Sequence, residues 1–182
     1  MGTVLVLYHS LRGHTARVAR AICRGVESAG GRAEMMELKE AVHEGVEWDR
    51  YDAVVVGAPV LYGTYDREFL AFVARHRAAL DAKPNSFFNV SVVARTPEKA
   101  RPEGNRYLQK FLELSPWKPR DLKCIAGKVD YPAWRWYEVL MIRMIMKFTH
   151  GPTDRHAVID YTDWQDVEAY GRRVAGLARG GA

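Results

Sequence analysis

The chain opens on a short apolar run, Val4-Leu5-Val6-Leu7-Tyr8, followed at once by small and hydroxyl-bearing residues. A continuous run of that length, partly β-branched and without alternation, predicts a strand buried on both faces. The period then changes. Val18, Ile22 and Val26 recur at helical spacing over 14–29, and Gly30-Gly31 supplies a stop. Further strands are predicted over 32–38, 52–57 and 86–93, with a helix over 66–80 between the last two. A fifth strand is predicted over 122–129 and a strand-like piece over 157–161. The last helix, 163–178, takes Thr162 or Asp163 as its cap and buries Val167, Tyr170 and Val174. Strands alternating with helices imply parallel pairing through right-handed crossovers, an α/β fold. At 182 residues the pattern implies one domain over 1–182, with a single irregularity, the interval 130–156, which interrupts the last strand–helix unit.

That interval changes the picture. Residues 134–148 fit a helix with Trp136, Leu140, Met144 and Phe148 on one ridge and Tyr137, Met141 and Ile145 on the next. Arg135, Glu138, Arg143 and Lys147 are expected to share the narrow stripe that remains. A core helix, a helix lying on a membrane and a cover over a ligand all fit this composition. No apolar run reaches the roughly 18 residues of a transmembrane helix, and no secretory signal pattern precedes the first strand.

Charge sharpens the contrast. The net charge is +5, and residues 95–155 carry 13 Lys/Arg against 7 Asp/Glu. Such a surplus serves an anionic surface or an acidic substrate, or is simply solvated. A nucleic-acid partner is disfavoured, because the insert's cations are interleaved with Met, Ile and Leu. Cys23 and Cys124 are expected as free buried thiols, and no metal-ligand set is evident.

In an open parallel sheet, ligands bind beyond the carboxyl ends of the strands where strand order reverses. Ser10, Leu11, Arg12, Gly13, His14 and Thr15 fall there, at the entry to the first helix. Gly13 permits close backbone approach, Ser10 and Thr15 bring hydroxyls, and the helix N-terminus favours an anion. A capped turn that holds no ligand has the same composition. The run from Val6 to Thr15, with Ala19 and Ile22 after it, resembles the FMN-binding signature of the flavodoxins. That resemblance implies FMN as cofactor and a five-stranded sheet in the order 2-1-3-4-5. Arg12 stands where electron-carrying flavodoxins usually have Thr. Pro59, Val60, Leu61, Tyr62 and Gly63 follow the third strand and are expected to face the same crevice along a flavin ring, with Tyr62 fitting either a place stacked on that ring or ordinary loop packing. Ala94, Arg95 and Thr96 are expected to close the third side, Arg95 fitting either a cation near the pyrimidine edge or a salt-bridged surface arginine.

The segments "VARTPEK", "YLQKFL", "SPWKPRDLKCIAG", "YPAWRWYEVLMIRMIMK" and "YTDW" narrow this further. In that order they resemble the bacterial flavodoxin-like protoporphyrinogen oxidases of haem biosynthesis, over roughly residues 3–178. The resemblance implies oxidation of protoporphyrinogen IX with menaquinone as acceptor, and peripheral attachment to the cytoplasmic face of the cell membrane. Trp134, Arg135, Trp136, Tyr137, Arg143 and Lys147 are then the residues expected to meet substrate or lipid. The chemistry is expected at flavin N5, with no side chain singled out as general base; His14 and His150 are conceivable, though a lone histidine is more often structural. An NAD(P)H:quinone reductase and an electron-carrier flavodoxin are the alternatives, the carrier disfavoured by the positive charge. Oligomeric state is left open.

Overall fold

The computed structural model describes residues 2–148 and 150–180; positions 1, 149, 181 and 182, which the predicted domain and insert include, lie outside the described residues. Its centre is a five-stranded parallel sheet in the order β2-β1-β3-β4-β5. The strands are β1 (Thr3–Tyr8), β2 (Arg32–Glu37), β3 (Ala53–Pro59), β4 (Asn85–Ser91) and β5 (Asp121–Ala126). β1 shows why the apolar run had no alternation. Leu5 and Leu7 enter one core and Val4 and Val6 the other, all four fully buried.

Helices α1 (His14–Ser28) and α7 (Trp164–Arg179) cover one face, giving Val18, Ile22, Val26, Val167, Tyr170 and Val174 to its core. The opposite face is covered by α3 (Arg67–Arg75), α4 (Arg77–Asp81) and α5 (Arg106–Leu114), with α2 (Leu38–Glu44) alongside. There Phe87 and Phe111 stack with centroids 4.0 Å apart, and Trp117 closes edge-on against both. Side-chain caps start three helices. Asp66 accepts from the Glu68 amide at 2.7 Å, Asn105 from Leu108 at 3.0 Å and Asp163 from Asp166 at 3.0 Å.

The structure departs from the sequence expectation at several elements. The helix expected over 66–80 is two helices, broken at His76. The fourth strand ends at Ser91, and Val92–Arg95 forms a 3₁₀ turn. The strand expected over 122–129 divides at Gly127. β5 stays in the main sheet, while β6 (Lys128–Asp130) pairs antiparallel with β7 (Val158–Asp160) in a separate ribbon. That ribbon carries the insert. The chain leaves along β6, turns through Tyr131–Ala133, runs through α6 (Trp136–Phe148) and returns along β7 to α7. A small core of Val129, Tyr131 and Met146, with Val92, Trp134, Val139 and Ile142 against it, fixes α6 over the carboxyl ends of the central strands.

Candidate functional site

The loop between β1 and α1 is built around one hydroxyl. Ser10 Oγ accepts from the Gly13 amide at 3.1 Å and from the Ala16 amide at 3.3 Å. Gly13 has φ 82°, a left-handed conformation in which any side chain is strained. The first bond within α1 runs from the Arg17 amide to the Gly13 carbonyl at 3.1 Å. Of the amides ahead of it, those of Gly13 and Ala16 are taken by Ser10, which leaves those of His14 and Thr15 at the positive end of the helix dipole.

This loop borders a cavity of about 220 Å³. Leu11, Arg12, His14 and Thr15 form one side, and Pro59, Val60, Leu61 and Tyr62 a second. Val90, Ser91 and Val92 form the third, and Trp134, Glu138 and Ile142 of the insert the fourth. Two polar atoms in this wall, Ser91 Oγ and His14 Nδ1, are buried with no partner among the described residues. Unpaired buried polar atoms are costly, so a wall that carries two of them is chemically suited to a polar ligand. An outward-facing helix N-terminus, apolar walls and spare hydrogen-bonding capacity are what the phosphate and ring of a flavin mononucleotide require.

Ala94, Arg95 and Thr96, expected at the third side, do not line this cavity. Ala94 is buried against the α3/α5 core, and Thr96 hydroxyl bonds back to the Val93 carbonyl at 3.4 Å. Arg95 donates to the Val92 carbonyl at 3.3 Å and lies 5.8 Å from the Tyr161 ring, facing the ribbon. The 3₁₀ turn rotates these residues away, and the end of β4 lines the cavity in their place. Ser10 and Gly13 act within the loop, and Gly63 (φ 77°) shapes the turn that presents Tyr62.

His14 is held in one tautomer. Thr162 Oγ1 donates to the Ala126 carbonyl at 2.8 Å, so at 2.9 Å it accepts from His14 Nε2. Nδ1 is then the lone-pair nitrogen, in the cavity wall. Burial lowers the pKa of His14; Asp160, 4.0 Å from Nε2, pulls it up, and Arg17 and Lys128 push it down again. His14 is neutral at physiological pH on that ground.

The insert holds the largest difference from expectation. Glu138 does not share a solvated stripe with the cations. It is 4% exposed and turned inward, where its carboxylate meets the Arg12 guanidinium, the Tyr62 hydroxyl and, at 2.8 Å, the Arg135 amide. Burial raises its pKa, but the hydrogen bonds from Tyr62, Arg135 and Arg12 outweigh that and hold it below its ordinary 4.5. The spacing hid this role, since an acid at a helix start reads as a capping residue. Trp134 lies under Arg12, 5.9 Å from guanidinium carbon to ring centroid. Trp134 and Arg135 precede the helix, which begins at Trp136.

The outer face is different in kind. Trp136 and Phe148 are each 79% exposed, Leu140 61% and Met144 56%, with Tyr137 beside them. Arg143 donates to the Thr153 carbonyl at 2.8 Å, and Lys147 is exposed. Among the described residues, no helix is long and apolar enough to cross a membrane.

Comparison with known proteins agrees with this architecture. A flavodoxin domain model matches residues 5–156. Protoporphyrinogen IX dehydrogenase (quinone) of Escherichia coli (strain K12) is 38% identical over 173 residues, 95% of this chain and 94% of that protein. The Leishmania major protein of the same name is 33% identical over 174 residues, 95% of this chain and 74% of that one. An NAD(P)H dehydrogenase (quinone) of Paraburkholderia phymatum is 30% identical across only 48% of this chain and 56% of that protein. Among solved structures, a flavodoxin, WrbA-like protein from Agrobacterium tumefaciens superposes with a TM-score of 0.57 at 19% identity, both chains fully covered. The chain belongs to the flavodoxin domain family, and within it to the family of the E. coli and Leishmania relatives.

Proposed function

We propose that this protein binds FMN in the cavity at the strand tips and oxidises protoporphyrinogen IX to protoporphyrin IX, with a quinone as acceptor. The observation that carries the reading is the fourth wall. A generic flavodoxin site needs two or three loops, whereas here an insert with an apolar, cationic outer face closes the cavity from above. Near end-to-end similarity to two protoporphyrinogen IX dehydrogenases supports the same substrate. The reductase named above matches less than half of the chain.

Bound FMN would supply a two-electron acceptor and donor, which suits both a reduced macrocycle and a quinone. The chain's own residues do the rest. The α1 N-terminus, with Ser10, Gly13 and Thr15 around it, holds the phosphate. Tyr62 and its neighbours hold one side of the ring, and the Val90–Val92 edge the other. Trp134, Glu138 and Ile142 keep water from the reacting face. His14 offers an unprotonated Nδ1 and Ser91 a hydroxyl to polar atoms of the ligand.

The acceptor we propose is menaquinone, met at the cytoplasmic face of the cell membrane. Support comes from α6, whose 13 residues span about 20 Å, too short for a bilayer about 30 Å thick. Its outer ridge, with Arg143 and Lys147 at one flank, suits a helix lying in the headgroup region of an anionic leaflet.

Porphyrin fluorescence tests the proposal. Purified protein, supplied with FMN, should convert protoporphyrinogen with and without menaquinone at rates that differ several-fold once air oxidation is subtracted. Protein that takes up no FMN, or whose rate ignores the quinone, refutes it. Rapid bleaching of the flavin band by NADPH under anaerobic conditions would instead identify an NAD(P)H:quinone reductase.

A further inference from the structure

Glu138 is the side chain of α6 on which both cofactor loops converge. Arg12 comes from the loop after β1, Tyr62 from the loop after β3, and both reach the same oxygen, Oε1. Oε2 accepts the Arg135 amide at 2.8 Å. A buried carboxylate is expensive unless its oxygens are hydrogen-bonded, and here both are. Tyr62 is held in a left-handed conformation, φ 50°, which non-glycine residues seldom adopt, while its ring stays half exposed. The knot thus joins three segments, α6 being held besides by the small core of Val129, Tyr131 and Met146.

With the knot tied, the cavity measures about 220 Å³, below the roughly 300–1,000 Å³ of sites for drug-sized ligands. A flavin ring and a tetrapyrrole together need more room than this. The space lies beneath α6, between Trp134, Glu138 and Ile142 and the two loops. The outer trough along Tyr137, Leu140, Arg143, Met144 and Lys147 is on the opposite side of the helix and is separated from the cofactor loops by the helix itself.

We propose that Glu138 is a positioning residue: its contacts with Arg12 and Tyr62 hold α6 over the cofactor site, and they must release to admit a macrocycle and re-form to enclose it. The proposal rests on the functional reading above. A free protein that is mostly closed binds substrate with an apparent affinity reduced by the fraction open. Loosening the knot therefore lowers KM, and losing the closed arrangement around substrate lowers kcat.

The test uses FMN-loaded protein and hydrogen exchange of the amides over 134–148, together with steady-state kinetics. Glu138→Gln keeps the shape and removes the charge. It should speed exchange across α6 at least tenfold and lower both KM and kcat several-fold, with FMN affinity changed less than threefold. Glu138→Asp keeps the charge and should restore slow exchange in part. Arg12→Gln should raise exchange across α6 as Glu138→Gln does and, because Arg12 lines the cavity, should also weaken FMN binding. If Glu138→Gln does not fold, Tyr62→Phe, which deletes one oxygen, should raise exchange about threefold. Unchanged exchange in these variants overturns the knot while leaving the functional reading intact. A wild-type protein that binds FMN but oxidises no porphyrinogen refutes that reading instead, and exchange alone still decides the knot.

Discussion

Truncating both ends of the outer ridge of α6 gives the sharpest check on the proposal that this face meets lipid. Trp136 and Phe148 are each 79% exposed and stand 12 positions apart, about 18 Å along the axis. Both are anchored only if the helix lies flat. Aromatic side chains present roughly 150–250 Å² each, so the pair exposes about 300 Å². Immersing half of that at about 25 cal/mol per Å² is worth roughly 4 kcal/mol. Allowing for what alanine retains, Trp136→Ala with Phe148→Ala should weaken partitioning by about 3.5 kcal/mol, or about 300-fold. The two cations act separately. Arg143→Gln with Lys147→Gln should cost about 2 kcal/mol at low salt and nearly nothing at high salt, since each is worth about 1 kcal/mol near an anionic surface. Co-sedimentation with vesicles containing anionic phospholipid measures both, and FMN content confirms that each variant is folded. Binding of the double aromatic variant within threefold of the parent would refute the reasoning.

Three further outcomes follow from particular residues. Deleting residues 134–148 should leave FMN bound and abolish porphyrinogen oxidation, as flavin absorbance and porphyrin fluorescence report; activity retained in the deletion counts against the insert's role. Gly57 sits where an added Cβ would lie 1.9 Å from Phe88 Cζ at the centre of the sheet, so Gly57→Ala should destabilise by about 1–3 kcal/mol, read from denaturant midpoints at constant slope. The carboxyl of Glu138 is held below 4.5, so the stability that it gives the insert is complete above that pH and is lost as pH falls through the depressed value. Protection of the amides over 134–148, taken relative to their intrinsic rates at each pH, should accordingly fall on acidification below about pH 4.5, and Glu138→Gln should remove that pH dependence.

The sheet was readable because its strands are buried on both faces, so that β1 and β3 appear as apolar runs with no competing period, while β4 shows only the Phe87-Phe88 pair among buried Asn and Ser. The order 2-1-3-4-5 came through the resemblance carried by the loop after β1, and the structure has that order. Two helices escaped notice. α2 buries only Leu38 and Ala41, and α5 is short, with Leu108 and Phe111 as its buried pair. Cavity residues on β1–α1 and after β3 were legible from their position at the strand tips, where strand order reverses, together with the flavodoxin resemblance of the first loop. The turn after Ser91, which sets Ala94, Arg95 and Thr96 off from this cavity, is a feature of backbone geometry with no residue signature. Glu138 was misplaced for another reason. Helical spacing tells which residues share a stripe but not that a carboxylate will be drawn under the helix by partners 126 and 76 positions away.

That displacement explains how a single helix comes to present one face to the cavity and leave an aromatic ridge outside. A thirteen-residue helix with apolar side chains on nearly every position has no strong preference for which side faces the protein. Val139, Ile142 and Met146 would pack against Val129 and Tyr131, but Trp136, Leu140 and Met144 are at least as apolar and could bury as much area. One polar residue breaks the degeneracy. With Glu138 facing lipid, its charge would lose both water and partners, whereas facing Arg12 and Tyr62 it is fully hydrogen-bonded. The rotation of α6 about its own axis is therefore set by where that carboxylate finds donors, and the aromatic ridge is left outside as a consequence. On this argument, Glu138→Leu should free the helix to turn. Exposure of Trp136 to a soluble fluorescence quencher would then fall while the overall fold holds, and an unchanged quenching constant would show that packing alone sets the orientation.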